Sequence, residues 1–248
     1  METNKYLPPG PDRAAKVEDL FAIIARRYDF INDLQSLGFH RRWKLRMVKM
    51  AEVKPGDQAL DLCCGTGDVA FALQRRGAEV TALDFSAAML EVARERAKAG
   101  CLDLKPVRFL RGDALKIPFP DASFDVVTVA YGLRNLASWE RGLEEMWRVA
   151  RPGARLLVLD FGKPENVFWR GMYFDYLKFV VPWFGKIFCR DSATHAYIFA
   201  SLKDYPAQRG VAEKMQALGC ARMEVRNLVG GAMSINLGVK APGTGSRR

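Results

Sequence analysis

The chain has 248 residues, 49% hydrophobic and 27% charged, which fits one sizeable soluble domain and excludes a disordered or fibrous protein. A net charge of +10 is explained by nucleic acid or an anionic membrane surface as a partner, or by solubility alone. Five cysteines, an odd count without a C-x-x-C pair, favour a reduced cytoplasmic compartment over a secreted disulfide framework.

Residues 1–50 are predicted to form a proline-rich arm followed by a helical cap. Val17, Leu20, Phe21 and Ile24 recur at three- and four-residue steps, the spacing of one helix face. The start of the chain has no apolar signal core, and no apolar run approaches the roughly 18 residues of a membrane span. We therefore expect neither a cleaved leader nor a spanning helix.

Polar and aromatic side chains of this cap are candidates for contact with a substrate. A helical segment ahead of the first strand commonly lies over the carboxyl ends of a parallel sheet, where ligands bind. Tyr28, His40, Arg41 and Trp43 could contact a substrate from that position. Alternatively, Trp43 belongs to the core and the basic residues form a solvated face, and the sequence leaves both interpretations open.

A glycine turn between two apolar strands organises the core, predicted over residues 51–162. Ala59 to Cys64 reads as a buried parallel strand, Gly65-Thr66-Gly67 as a tight turn into a helix, and Val80 to Phe85 as the next strand. Glycines allow a ligand to approach the backbone. The spacing Gly65-x-Gly67-x-x-Ala70 also resembles a dinucleotide fingerprint.

Carboxylates around the turn favour a cationic ligand over a dinucleotide. Asp61 and Asp68 flank the glycines, and negative charge there would repel a pyrophosphate from the helix N-terminus. The sulfonium and ammonium of S-adenosylmethionine would instead be attracted. Asp84, at the end of the second strand, can accept hydrogen bonds from both ribose hydroxyls. The alternative is a ligand-free turn with capping aspartates.

The remaining core alternates helices and strands, as an α/β sheet requires. Ser86 is a good N-cap for a helix, and Asp113, just past the third strand, is suited to an adenine amino group or to a simple turn. The predicted elements are a helix at Ala87–Ala99, a strand at Val107–Leu110, a central strand at Phe124–Val129, a helix at Trp139–Ala150, a turn at Arg151-Pro152-Gly153 and a strand at Ala154–Phe161.

Residues 163–206 are predicted to form a helical, aromatic-rich lid inserted into the fold. The segment is too aromatic for a surface linker, although its rings could also simply pack against the sheet. Residues 207–240 return to the core with a helix and two strands joined by Gly230-Gly231, an antiparallel hairpin. Residues 241–248 read as a tail, and the whole chain as a single domain.

Five segments of the chain resemble the ubiquinone/menaquinone biosynthesis C-methyltransferases of the UbiE/MenG type. The segments are YDFINDLQSLGFHRRWK at Tyr28–Lys44, LDLCCGTGD at Leu60–Asp68, IPFPDASFD at Ile117–Asp125, YGLRN at Tyr131–Asn135 and MWRVARPGARLLVLDF at Met146–Phe161. The resemblance extends from about Ala22 to Lys240. It implies the class I S-adenosylmethionine-dependent methyltransferase fold, a Rossmann-like seven-stranded sheet with an antiparallel last strand, and methylation of a ring carbon of a prenylated hydroquinone.

The resemblance places the methyl donor on specific positions of this chain. It carries Thr66, Asp84, Asp113, Ala114 and, mainly through its backbone, Ala130 over as donor contacts. The predicted donor site comprises Asp61, Gly65, Thr66, Gly67, Asp84, Phe85, Asp113, Ala114 and Ala130. We expect no metal site, because only His40 and His195 could join thiols in one and their spacing matches no ligand pattern.

The chemistry requires positioning and removal of one phenolic proton. Arg134, a permanent cation, is expected to stabilise the developing phenolate, with Asn135 orienting the ring oxygen or a water and Tyr28 closing the site. Arginine cannot be the base at neutral pH. The base stays open among His40, His195 and water.

The predicted partner is the prenylated hydroquinone, as naphthoquinol or benzoquinol, and the basic charge is assigned to peripheral contact with an anionic membrane from the cytoplasm. A nucleic-acid methyltransferase would also explain the charge, but no appended basic domain or aromatic-basic strand face is present. A methyltransferase for another lipophilic small molecule and a non-catalytic donor-binding regulator stay open. The sequence gives no oligomeric state.

Overall fold

The strands form one mixed sheet, parallel except for an antiparallel last strand, as predicted. The computed structural model describes residues 13–100, 105–184, 186–187 and 193–242. Within them a seven-stranded sheet has the order β3-β2-β1-β4-β5-β7-β6, in which β7 runs antiparallel to both neighbours. The strands are β1 (Gln58–Leu62), β2 (Glu79–Asp84), β3 (Arg108–Arg111), β4 (Phe124–Ala130), β5 (Ala150–Phe161), β6 (Cys220–Leu228) and β7 (Met233–Lys240).

Helices precede, link and follow the strands, in keeping with the predicted alternation. Ser86 caps α5 by accepting a hydrogen bond from the Met89 backbone N–H, as expected from its position. The helices are α1 (Arg13–Ile24), α2 (Tyr28–Ser36), α3 (Phe39–Met50), α4 (Asp68–Gln74), α5 (Ala87–Ala99), α6 (Trp139–Val149), α7 (Val167–Asp175), α8 (Val181–Phe184), α9 (Ala193–Asp204) and α10 (Ala207–Ala217), with a π-helical turn at Tyr176–Val180 between α7 and α8.

The core lies on both faces of the central strands. β4 is buried along nearly its whole length, and Val126 and Val127 pack into different clusters because successive side chains point to opposite faces. One cluster contains Leu143 and Met146 of α6, and the other contains Leu73 of α4. Helices on both faces therefore leave the carboxyl ends of the strands as the open edge.

The start of β5 differs from the sequence-based prediction. The strand begins at Ala150, so the predicted turn at Arg151-Pro152-Gly153 is an irregular stretch within it. Phe124 of β4 pairs with Ala150 and Val126 with Arg155, a bulge that keeps the strand paired on both sides of the irregularity. Local glycine and proline signals marked the bend correctly, but β5 pairs with β4 on both sides of it.

Two glycines allow close approaches beside the open edge. Gly67 has φ +90°, a conformation that L side chains rarely adopt, and it precedes α4. A Cβ at Gly132, just after β4, would lie 2.3 Å from the Cβ of Cys63, which follows β1. The loops after β1 and β4 therefore pack against each other only because residue 132 has no side chain.

The segment predicted as a lid is helical, and its aromatic residues divide between the interior and the surface. Tyr173, Tyr197 and Tyr205 are buried in the core, whereas Phe168 and Trp183 are exposed. The buried tyrosines pack into the core as the second interpretation expects, and the role of the segment as a lid stays a prediction. Among the described residues, no helix is both long and apolar enough to cross a bilayer.

Candidate active site

A small cavity of about 110 Å³, here called the donor cavity, lies at the carboxyl ends of β1, β2 and β4. Parallel strands end on the same edge, so the loops that follow them converge there. The residues of the predicted donor site that line this cavity are Gly65, Asp84, Phe85, Asp113, Ala114 and Ala130.

Asp84 is held rigidly at the end of β2 by backbone hydrogen bonds. Its Oδ2 accepts from the Gly65 N–H at 2.8 Å and its Oδ1 from the Ser86 N–H at 2.8 Å. Burial raises the pKa of Asp84, while these N–H groups oppose the shift. Because each carboxylate oxygen has a second lone pair, both can still accept from a diol in the donor cavity.

Asp61, Thr66 and Gly67 do not line the donor cavity. Asp61 is 1% exposed, and its Oδ1 accepts from the Thr128 hydroxyl at 2.8 Å. Its Oδ2 is buried and has no hydrogen-bond partner within the described part of the chain. Burial raises the pKa of Asp61 to about 7. Contact of Asp61 with the methyl donor therefore stays a prediction, because this carboxylate is buried outside the donor cavity.

The charge of Asp68 is not available to repel or attract a ligand, and that part of the sequence argument is wrong. Lys44 of α3 donates to Asp68 at 2.9 Å and Arg96 of α5 donates to it at 2.7 Å. Burial opposes ionisation of Asp68, but the two cations outweigh it and lower the pKa. Arg96 also binds Asp29 of α2, and Asp29 accepts from the Thr66 hydroxyl at 2.9 Å. Ion pairs and a hydrogen bond between side chains therefore join the cap to the glycine turn and to the start of α4.

A larger cavity of about 630 Å³, here called the acceptor cavity, lies between the N-terminal cap and the segment predicted as a lid. Its walls are mostly aromatic and aliphatic, with a few polar groups. Tyr28 and Tyr131 line both cavities, so the two spaces meet at these side chains. The other cap residues on its wall include Gln35, His40 and Trp43, whereas Arg41, which was also predicted to face a substrate, is absent from it.

Arg134 lies in the wall of the acceptor cavity, buried and paired with an acid. Its Nη1 donates to Asp160 Oδ1 at 2.6 Å and to the Tyr131 carbonyl at 2.7 Å, and its Nη2 lies 3.3 Å from the Tyr197 hydroxyl. Its guanidinium stacks on the Phe161 ring at 4.5 Å. Burial opposes its charge, but Asp160 outweighs that effect and raises the pKa, so Arg134 stays protonated.

The other two residues predicted to be catalytic lie beside it. Asn135 lines the donor cavity, and its Nδ2 donates to the Tyr131 carbonyl at 3.2 Å. Its Oδ1 is buried and lacks a hydrogen-bond partner among the residues the structure describes. Burial, with Tyr197 adding to it, raises the pKa of Tyr28, which therefore stays neutral at physiological pH. The structure thus brings Tyr28, Arg134 and Asn135 together where the two cavities meet.

The chain matches the profile of the ubiE/COQ5 methyltransferase family over residues 12–240. The chain belongs to this family. The family and its fold support S-adenosylmethionine as the methyl donor, and the resemblance drawn from the five motif segments is confirmed.

Similarity to named relatives extends over nearly the whole length of the chain. A demethylmenaquinone methyltransferase from Bacillus cytotoxicus is 36% identical over 228 residues, which are 91% of this chain and 95% of the relative. A ubiquinone/menaquinone biosynthesis C-methyltransferase UbiE from Stutzerimonas stutzeri is 38% identical over 238 residues, which are 94% of this chain and 91% of the relative.

Solved structures confirm the fold. A SAM-dependent methyltransferase from Aquifex aeolicus has a TM-score of 0.54 at 22% identity, covering 84% of this chain and 97% of that one. The [4+2]-cyclase SpnF has a TM-score of 0.64 at 17% identity, covering 98% of this chain and 100% of its own. At these identities the likeness is one of fold alone.

Several groups of the methyltransferase site were missed in the sequence. Asp160 follows the rule that polar groups at the carboxyl end of a strand face the site, the same rule that identified Asp84, so it could have been found. Asp29 and Arg96 gave no such signal, because their contact joins α2 to α5. In the described ranges no three His, Cys, Asp or Glu side chains are grouped as metal ligands.

Proposed function

We propose that this methyltransferase transfers the methyl group of S-adenosylmethionine to a ring carbon of a prenylated hydroquinone, a step of quinone biosynthesis. The observation that carries the proposal is the acceptor cavity, which is large and mostly apolar and shares Tyr28 and Tyr131 with the wall of the donor cavity. An aromatic ring with a hydrocarbon tail fits such a wall. The names of the relatives, demethylmenaquinone methyltransferase and UbiE, support the same substrate class.

The reaction asks for orientation more than for covalent chemistry. The sulfonium of the bound donor supplies an activated methyl group, and the ring carbon next to a deprotonated hydroxyl is the nucleophile. Holding the two in line contributes several kcal/mol, up to roughly 7–11 in well-oriented reactions. Tyr28 would close the boundary between ring and donor, and Asn135 would orient the ring oxygen or a water. Arg134 would stabilise negative charge on that oxygen from its Nη2 side.

The substrate class is tested by methyl transfer to defined quinols. We expect the labelled methyl group of the donor to be transferred to tailed desmethyl naphthoquinol or desmethyl benzoquinol under anaerobic reducing conditions. The quinol that is methylated faster identifies the ring type of the substrate. The tailless ring should react with a higher KM, because each buried methylene contributes about 0.8 kcal/mol.

Calorimetric binding of S-adenosylmethionine is the control for a competent protein in this assay. Intact donor binding with no transfer to either quinol would contradict the hydroquinone proposal. Transfer to another lipophilic phenol in the same assay would instead favour the alternative of a different small-molecule substrate.

We further propose peripheral contact with an anionic bilayer, the phase that holds a long-tailed quinol. Apolar side chains spaced three and four residues apart are exposed along α7, the π-helical turn and α8, among them Phe168 (77% exposed) and Trp183 (68%). Exposed Lys178 and Lys186 lie in the same stretch, which complements anionic lipid. Leu37, 82% exposed, lines the acceptor cavity as well, so the mouth of the cavity lies at an apolar surface.

Removing the exposed rings should weaken membrane binding. Phe168→Ser combined with Trp183→Ser should reduce binding to phosphatidylglycerol vesicles about 10²-fold, if each ring loses about 1.5 kcal/mol of burial. Vesicle flotation measures this, and higher salt should weaken the wild type. Val225→Ser on β6, also exposed, is the matched control and should bind normally. Equal binding by both variants, or self-association through this face in light scattering, would contradict the bilayer as its partner.

A further inference from the structure

His40, in the first turn of α3, is a buried histidine in the wall of the acceptor cavity. It is 4% exposed, and it lies on a wall that is mostly apolar. Its Nε2 lies 2.8 Å from Asp33 Oδ1 of α2. A histidine held by a carboxylate at one ring nitrogen presents the other nitrogen for acid–base chemistry.

Asp33 fixes the tautomer of His40. Arg41 donates to both Asp33 oxygens, from Nε at 2.7 Å and from Nη2 at 2.8 Å. This pairing lowers the pKa of Asp33 to about 2, so the carboxylate is ionised and can only accept. The proton of neutral His40 therefore resides on Nε2, and Nδ1 carries the lone pair. That Nδ1 is buried and finds no hydrogen-bond partner anywhere in the described ranges.

The charged groups around His40 keep it in the basic form. They are Asp33 from α2, Arg41 and Lys44 from α3 and Asp68 from α4. Burial and then Lys44 lower the pKa of His40, while Asp33 and Asp68 oppose the shift without reversing it. The imidazole is thus neutral at pH 7, which is the state that a proton acceptor requires.

Other polar groups in the same wall are poor proton acceptors. Arg134 stays protonated beside Asp160. Lys44, which does not line the cavity, is held in an ion pair by Asp68. The Tyr131 hydroxyl and the Gln35 Nε2 are, like His40 Nδ1, buried without a partner in the described structure, and both residues line the acceptor cavity. Three unsatisfied groups on one wall are costly unless a ligand oxygen completes them.

We propose that the Asp33–His40 pair is the general base of the reaction. This inference rests on the proposed function. His40 Nδ1 takes the proton of the ring hydroxyl next to the reacting carbon, and Asp33 stabilises the imidazolium. The new C–C bond forms as the C–S bond breaks and sulfur keeps the electron pair. The ring hydrogen then leaves as a proton, the oxygen is reprotonated by the imidazolium, and each turnover releases one proton.

The test compares single-turnover methyl transfer by the wild type and His40→Asn at saturating donor and quinol. We expect His40→Asn to be about 10²-fold slower at pH 7, the scale of general-base catalysis. The wild-type rate should fall as pH drops through the His40 pKa, since only neutral imidazole accepts a proton, and this dependence should vanish in the variant. Asp33→Asn should give an intermediate loss, because its amide no longer fixes the Nε2 proton.

A second substrate separates a base from a structural residue. A tailed quinol with a ring halogen has a more acidic hydroxyl and needs less help from a base, so the deficit of His40→Asn should shrink with it. Lys49→Gln, exposed on the same helix, is the matched control and should react normally. Donor affinity by calorimetry checks that His40→Asn is folded.

Each outcome decides between the base and its alternatives. Equal slowing of His40→Asn with both quinols, or an unchanged rate and pH profile in this variant, would overturn the assignment of His40 as the base. Methyl transfer by the wild type would still support the proposed substrate class. Absence of methyl transfer in the wild type would overturn the proposed function itself.

Discussion

Replacing Arg134 by lysine is expected to slow methyl transfer about 10²–10³-fold while leaving the affinity for S-adenosylmethionine unchanged. That range is the usual effect of removing one fixed hydrogen-bond donor from developing negative charge. An ammonium can keep the ion pair with Asp160, but it cannot also place a second donor toward Tyr197 and the acceptor cavity. Single-turnover rates at saturating substrates, with calorimetry for the donor, measure the two effects separately.

Arg134→Met is the companion variant, because it separates catalysis from folding. It leaves the Asp160 carboxylate, 2% exposed, without its partner, and breaking a buried pair costs about 3–5 kcal/mol of unfolding free energy. Adding Asp160→Asn should restore much of that stability without restoring turnover. If Arg134→Lys has a lower free energy of unfolding but transfers the methyl group at the wild-type rate, then Arg134 is a structural residue and another group stabilises the phenolate.

The sheet could be predicted because its signals are local. The apolar run of β4, the glycine turn after β1 and the Ser86 cap each follow from adjacent residues, and the structure places all three as expected. The start of β5 was misjudged, because glycine and proline report a bend but not whether the strand beside it stays paired. Pairing partners lie far apart in the chain, so this information is absent from the segment itself.

The electrostatics of the site could be predicted only in part, for the same reason. Asp84 lies in a cavity wall at the end of its strand, a position that follows from the convergence of parallel strand ends. Asp68 was given a free charge that the structure removes, since its partners Lys44 and Arg96 come from α3 and α5. The pairing of Asp33 with His40 lies within the cap, but a helix pair must first fold before these side chains meet. The ion-pair partners of these charged side chains could therefore be identified only from the tertiary structure, whereas the positions of residues at strand ends could be predicted from the sequence.

The oxidation state of the ring should decide between full activity and none. We expect tailed desmethyl quinol to be methylated in the presence of dithionite under anaerobic conditions, and the oxidised quinone to yield no product. In the quinone the ring is electron-poor, so its carbon cannot attack a sulfonium methyl. Two-electron reduction and removal of the proton by a base place negative charge on that carbon. Product formation with and without dithionite, followed by chromatography, measures the difference.

The position of the new methyl group tests the geometry of the acceptor cavity. Oxygen and carbon of the same anion compete for the methyl, so carbon selectivity requires that the ring edge, and not the hydroxyl, lie against the donor. The mostly apolar wall would supply that placement through its shape, and Arg134 Nη2 and His40 would hold the oxygen away from the sulfonium. NMR of the product should show a C-methyl group alone. An O-methyl product, or equal yield from the oxidised ring, would contradict C-methylation. The lipophilic ligand of the acceptor cavity would then have to be identified anew.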